Sequence, residues 1–433
     1  MTGPDPAPET AATGEQSGVS RRGRLLLLAA SIGGALSNFG ILALSPSVLG
    51  VQANLEFLVF WSLLFGMFGV QSGIQNETTR ATTAPSPTGA RAITAGLIWG
   101  AVSAVVLAVT SPLWGPHLLP HSVVLAVPVL VVTAFLYPLY VTQIGTLGGA
   151  RRWEWYGGTL LIEVALRVAL VAAAAALGWG LGGFEAGSAA AVLALAVVLL
   201  VGGAPRATLG RRTDVPLPTL LGQGALAMTS TAFTALLITG YSVLVKLTNP
   251  LDSLGLPPHE AAALMGACML AVSLTRAPIM MPLTAFVGVV ISAFTGHRGT
   301  VREAVQRPFA ILAAIGLAGA AAAWPIGPWV LRLLEPEYDL PGWYFAALTA
   351  SSVLLAWLTI LGALALATRH HWLYVLGWGA ASIVAIACLL APLPLLVTTA
   401  LSVSVGPATG CAVLFAGLSR PSARPEEPAA VQS

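Results

Sequence analysis

The chain has 433 residues, of which 56% are hydrophobic and only 9% charged, and its mean hydropathy is +0.84. Soluble domains carry about 25% charged residues, so this composition excludes a protein with a solvated surface all round, and the net charge of +3 carries no nucleic-acid signal. In chain order, residues 1–20 are rich in Pro, Ala, Thr, Gly and Glu and predict a disordered tail. Arg21, Arg22 and Arg24 then precede an apolar run from Leu25 to about Leu49, which is too long for a cleavable signal and predicts a first membrane helix.

Further apolar runs, each long enough to cross a hydrocarbon core of about 30 Å, place helices at 25–48, 54–74, 92–114, 122–146, 157–180, 187–204, 218–243, 260–292, 309–332, 342–367, 371–391 and 394–417. The expected fold class is therefore all-α, a polytopic membrane protein of about twelve transmembrane helices. Residues 21–204 form an N-terminal six-helix lobe, 205–217 a cytoplasmic linker, 218–418 a C-terminal six-helix lobe and 419–433 a disordered tail. Helix eight is overlong and interrupted by Pro278 and Pro282, which predicts a bend or a run along the membrane surface.

Basic residues set the orientation, because Lys and Arg concentrate in short cytoplasmic loops. Of the twenty, sixteen arginines fall in alternate connections and tails, among them Arg80, Arg91, Arg151, Arg152, Arg211 and Arg212. Lys246 and Arg332 are left for the outer loops and two arginines lie within helices. Both termini are thus expected in the cytoplasm, and the abundance of Arg, Ala and Gly suggests a bacterial cytoplasmic membrane. Trp114, Trp153, Trp155, Trp324, Trp343 and Trp372 lie near helix ends, where amphipathic rings favour the headgroups.

Charges inside a membrane are costly and usually face a cavity or a partner. Three stand inside the expected helices: Glu163, Arg167 and Arg276. Glu163 and Arg167 are four apart on one helix face, acid first, the favourable order for a local pair. They either neutralise each other or serve a site near the midplane. Arg276 precedes Pro278 without an acidic residue in reach along its helix; it snorkels, pairs across helices, or lines a hydrated cavity. In the last case Arg167 and Arg276 attract an anionic headgroup, since guanidinium matches phosphate oxygens bidentately. Asn38, Gln71, Tyr137 and Gln143 are weaker candidates for cavity-lining groups, along with Asn54, Gln75 and Tyr140. Such groups also serve as interhelical hydrogen-bond partners. Glu56 is expected at the outer interface, where its charge costs little.

Enzyme signatures fail on context, and no catalytic residue is proposed. Gly178, Gly180 and Gly183 match GxGxxG but close an Ala-rich membrane helix. The histidines are scattered, and Cys268, Cys388 and Cys411 lie in apolar runs as small hydrophobes, so neither metal, cofactor nor disulfide is expected.

Three stretches carry a family resemblance. They are the segment from Phe57 to Gly69 with Glu77 to Arg80 after it, the run Glu163-Val-Ala-Leu-Arg167, and Leu274-Thr-Arg276-Ala-Pro278. With the twelve-helix layout, the chain resembles the polysaccharide (Wzx-type) flippases of the multidrug/oligosaccharidyl-lipid/polysaccharide exporter superfamily. The resemblance implies a V-shaped pair of lobes around a cationic cavity, with Arg167 and Arg276 as pyrophosphate contacts. The implied function is alternating-access flipping of a polyprenyl-(pyro)phosphate-linked oligosaccharide from inner to outer leaflet, for cell-surface polysaccharide synthesis. Its partners would be this lipid-linked anionic glycan, the membrane lipids and a coupling ion (H+ or Na+) or the membrane potential, with Glu163 as the coupling candidate. The competing readings are a secondary transporter exporting a small molecule or drug (of the same superfamily or a major-facilitator protein), a membrane-embedded glycosyltransferase or glycan polymerase, and a degenerate transporter fold acting as a scaffold or receptor.

Overall fold

The computed structural model describes residues 20–295, 301–368 and 370–419. The tails expected at 1–20 and 419–433, Ser20 and Ser419 apart, lie outside the described residues. Among those residues the chain is helical throughout, with one isolated bridge between Arg91 and Arg212 and no strand. The helices are α1 (Arg21–Ala81), α2 (Ala92–Leu118), α3 (Val123–Gly149), α4 (Trp153–Ala176), α5 (Gly180–Ala189), α6 (Ala194–Val201), α7 (Gly203–Leu209), α8 (Leu217–Ile238), α9 (Tyr241–Thr248), α10 (Pro258–Thr295), α11 (Val301–Leu334), α12 (Gly342–Ala367), α13 (His371–Leu389) and α14 (Leu395–Leu418).

The first two expected helices form one unit. α1 is 61 residues long, about 90 Å if straight, but Gly50 stands at φ 71°, ψ 175° inside it. That conformation is open only to glycine without strain. Ser45 Oγ donates to Asn54 Oδ1 at 2.6 Å, whereas nine residues of straight helix would part the pair by about 13 Å. The chain therefore reverses at Gly50, and α1 is a hairpin of two spans with no loop between them. Eleven described helices or helix runs are long and apolar enough to cross a membrane; counting α1 twice gives 11 + 1, or twelve spans. The protein is a multi-pass membrane protein.

Two ends of the bundle differ in chemistry. At one end Arg80 pairs with Glu77 and Asp214 at 2.7 and 2.8 Å, Arg211 donates to Thr82 O at 2.8 Å, and Arg212 donates to Gly89 O at 2.8 Å. The basic connections that the sequence reading puts on one side thus meet in space. At the other end, around Gly50, one apolar core joins Phe57, Phe60 and Leu64 of α1 to Phe184 of α5, Tyr241 and Val245 of α9, Met269 of α10 and Tyr344 of α12. Separate cores occupy the remainder, the two larger ones including Leu237 to Leu414 and Ile74 to Ala194, with smaller ones around Ile360 and Ala95. Lipid tails are as apolar as these side chains, so close packing and buried hydrogen bonds hold such a bundle together rather than hydrophobic burial.

Two contacts show how closely α1 is held. A Cβ on Gly73 would lie 2.5 Å from the backbone of Ala227, and Thr231 Oγ1 donates to Val70 O at 2.8 Å. Gly73→Leu is expected to separate α1 from α8 and to destabilise the protein by about 1–3 kcal/mol, read as a fall in the thermal unfolding midpoint in detergent. At the Gly50 end, Asn54 Nδ2 donates to Tyr338 OH at 2.8 Å. Burial pushes the Tyr338 hydroxyl up to about 12, so it stays protonated through the neutral range. Tyr338→Phe removes the acceptor and is expected to cost about 1 kcal/mol, with hydrogen exchange at the Gly50 end rising first.

Three expectations are corrected. Lys246 is not in a loop: α9 continues the seventh span beyond Gly240, and Lys246, 7% exposed, donates to Leu118 O at 2.8 Å. Glu56 is not at a wet interface but 2% exposed, because its carboxylate caps the start of α3, accepting the backbone N–H of His121 and Ser122 at 3.1 Å. The sixth span starts at Gly180 rather than 187, after a tight turn with positive φ at Gly178 and Gly180, so Glu185 is fully buried within it. Glu163 is therefore not the sole deep acid. Helix eight, α10, runs continuously through Pro278 and Pro282 to Thr295.

Candidate functional site

A cavity of about 190 Å³ lies between both arms of α1, the α8–α9 junction and α10. Its polar lining comes from Asn38, Ser62, Thr239, Ser242, Ser273 and Arg276, and its aromatic and apolar lining includes Trp61, Phe65, Tyr241 and Met280. The junction explains the location. α8 stops at Ile238, where the Gly240 N–H turns back to Ala235 O at 2.8 Å, and the carbonyls of its last turn have no partner within the helix. Side chains from neighbouring helices satisfy two such carbonyls: Ser62 Oγ donates to Thr239 O at 2.6 Å and Arg276 to Leu237 O at 2.9 Å.

Arg276 also lies over the Tyr241 ring, 4.9 Å from its centroid, which holds the guanidinium by cation–π attraction. Among the described residues no carboxylate lies within ion-pair distance of it. Among the described residues one of its five N–H donors is used, which leaves charge and donors for whatever enters the cavity. Aromatic walls and one unneutralised cation suit a flat or chain-like molecule with an anionic end.

Arg167 is placed differently. It pairs with Glu163, donates to Asn38 Oδ1 at 3.1 Å and lies over the Phe65 ring at 4.9 Å. Tyr140 OH donates to the other oxygen of Glu163 at 3.3 Å. Asn38 and Phe65 line the cavity, and Arg167 stands behind them, 3% exposed. The two arginines thus share a wall, and Arg276 is the one at the cavity surface. Among the described residues Arg167 Nε has no hydrogen-bond partner.

The weaker candidates divide. Asn38 faces the cavity. Gln143 ties α3 to α7, donating to Pro205 O and Thr208 Oγ1 at 2.9 Å. Tyr137 stacks on Phe68 with centroids 3.8 Å apart. Gln71 donates to Ala134 O at 3.3 Å and reaches a second, apolar groove of about 610 Å³ between α1, α2 and α8, lined also by Trp99, Val106 and Met228. Gln75 donates to Tyr156 OH at 2.8 Å. Sequence reading missed Trp61, Tyr241 and the broken α8–α9 junction. Gly240 is the local signal for that break, one glycine among 46. Among the described residues no group of three or more His, Cys, Asp or Glu could hold a metal ion.

No family model matches the chain. It is 36% identical over 372 residues to the uncharacterized protein Rv1510 of Mycobacterium tuberculosis, covering 84% of each chain. It is 32% identical over 395 residues to the uncharacterized protein Mb3654 of Mycobacterium bovis, covering 89% of each. The fold is that of multidrug resistance MATE family transporters of the MOP superfamily. An inward-facing structure of that kind superposes with a TM-score of 0.67 at 15% identity, over 92% of this chain and 99% of the other. An outward-facing one gives 0.60 at 16% identity, over 92% and 93%. A MOP superfamily transporter from Pyrococcus furiosus, described as having a binding pocket of reversed polarity, gives 0.63 at 15% identity, over 93% and 100%.

Proposed function

The chain belongs to the family of the mycobacterial proteins Rv1510 and Mb3654, and from that premise we propose that it is a bacterial cytoplasmic-membrane transporter of the MOP superfamily exporting a small amphiphilic anion by alternating access. The observation that carries this reading is Arg276: a half-buried cation at a cavity wall, held by one carbonyl and one ring, with no carboxylate within ion-pair distance among the described residues. Two six-helix lobes, 21–204 and 218–418, rock about the connection at 205–217, and the arginine-rich end faces the cytoplasm by the positive-inside rule. The apolar core at the Gly50 end closes the outer side, and the cavity awaits an anion from within.

A second reading, flipping of a polyprenyl-pyrophosphate-linked oligosaccharide, is favoured by the apolar groove between α1, α2 and α8. A lipid chain could lie there while its headgroup is carried. Ligand-induced shifts in thermal unfolding of the full-length protein test both. Geranylgeranyl pyrophosphate, a short aromatic carboxylate and ethidium are the probes. Stabilisation by the carboxylate, lost in Arg276→Gln, supports anion export. Stabilisation by the pyrophosphate alone, lost in the same variant, selects the lipid-linked substrate. Stabilisation by ethidium alone, unchanged in Arg276→Gln, overturns both in favour of cation export.

A further inference from the structure

We propose that Glu185 is a proton-binding site, reached from the surface through Ser122, Glu56 and His121, and that its proton keeps the Gly50 end of the bundle closed. The four groups form a continuous hydrogen-bonded line. Glu185 Oε1 and Ser122 Oγ are 2.8 Å apart, and Ser122 Oγ and Glu56 Oε2 are 3.1 Å apart. Glu56 Oε1 bonds His121 Nδ1, whose side chain is 74% exposed. Glu185 itself is 0% exposed, and its second oxygen has no hydrogen-bond partner among the described residues.

Proton counting assigns the states. A serine hydroxyl has one proton and can donate to only one of the two carboxyl groups that it touches. Glu56 already accepts the N–H groups of His121 and Ser122 at the start of α3, where the helix dipole favours a negative charge. It is therefore the carboxylate, and it takes the Ser122 proton. The remaining contact is satisfied when Glu185 is a carboxylic acid donating to Ser122 Oγ. A concerted shift moves the Glu185 proton to Ser122 as the Ser122 proton passes to Glu56; Glu56 then gives it to Nδ1 of the His121 ring in its Nε2–H tautomer, as Nε2 releases its own proton to water. Loading reverses these steps, and no other reactant is needed.

The cluster meets the second half of the chain at Lys246. Its ammonium bonds Leu118 O at 2.8 Å and senses the charge of Glu56. Ser122 and Glu56 act on Glu185, and α4 meets Gly183 and Gly187 of α5 with the apolar Leu170, Val171 and Ala174. One Lys246 charge balances one carboxylate. Loss of the Glu185 proton leaves a second buried negative charge without a partner, a state relieved by admitting water. Admitting water there means parting α9 from the α2–α3 connection.

The test uses infrared spectroscopy of the full-length protein in phosphatidylcholine vesicles. A protonated-carboxyl carbonyl band is expected near neutral pH, lost at high pH and absent in Glu185→Gln, yet kept in Glu163→Gln. Its absence from the wild type, or its survival in Glu185→Gln, overturns the site. Spin labels at Gln52→Cys and Asp252→Cys, with the native cysteines replaced by alanine, read closure. Their separation should lengthen at high pH in the otherwise native chain and stay short with Glu185→Gln added. Equal responses in the two overturn the coupling. Neither readout needs a substrate, so failure of the anion-export reading would leave both unaffected.

Discussion

Arg167→Ala is expected to lower the stability of the folded protein by about 3–5 kcal/mol, the cost of leaving one partner of a buried ion pair alone. The argument rests on what the guanidinium holds. It neutralises Glu163, bonds Asn38 on the first arm of α1 and covers the Phe65 ring on the second. Removing it strands a carboxylate within the membrane and deletes the contacts by which Arg167 ties both arms of α1 to α4. Glu163→Gln/Arg167→Gln, which removes both charges together, should recover most of the loss. Thermal unfolding in detergent, with the single and double variants compared, checks this. A double variant as unstable as Arg167→Ala would mean that the packing of Arg167, and not its charge balance, is what matters.

Arg276→Ala is expected to weaken binding of the anionic ligand identified by the unfolding screen by about 10–150-fold, the equivalent of losing 1.5–3 kcal/mol of charge-assisted hydrogen bonding. Alanine also removes the donor to Leu237 O at the end of α8, so stability falls with it. Arg276→Gln separates the two effects. Glutamine can still donate to that carbonyl but carries no charge, so the fold should stand while anion binding is lost. Arg276→Lys keeps charge without the planar fork and should bind with intermediate strength. Calorimetric titration of the purified variants measures all three. An Arg276→Gln protein with native affinity would move the anion contact elsewhere.

The spans were legible because length and hydropathy alone decide them, and the Glu163–Arg167 pair because four residues make one helical turn and an unpaired charge is costly in lipid. The basic end was legible from the alternation of arginines. What could not be read depended on partners distant in sequence. Glu56 looks like an interfacial acid until the start of α3, some 65 residues on, offers it two backbone N–H groups. Glu185 looks like a loop residue until the positive-φ turn at Gly178 and Gly180 starts the sixth span early. Arg276 stood out as a lone intramembrane charge. That it would cap a broken helix, and that Arg167 would stand behind Asn38 and Phe65, follows from tertiary packing that no local pattern encodes.

The reversal at Gly50 has a mechanical consequence. A loop of several residues would absorb any displacement of one span before its neighbour felt it, whereas a one-residue pivot stiffened by the Ser45–Asn54 bond has no slack. The arm bearing Asn38 and the arm bearing Trp61 and Phe65 therefore behave as a crank. A ligand pressing on the cavity wall turns one arm, and the torque reaches Asn54 and its bond to Tyr338. Lengthening the pivot by inserting flexible residues after Gly50 should leave each span intact while uncoupling the events at the cavity from those at the Gly50 end.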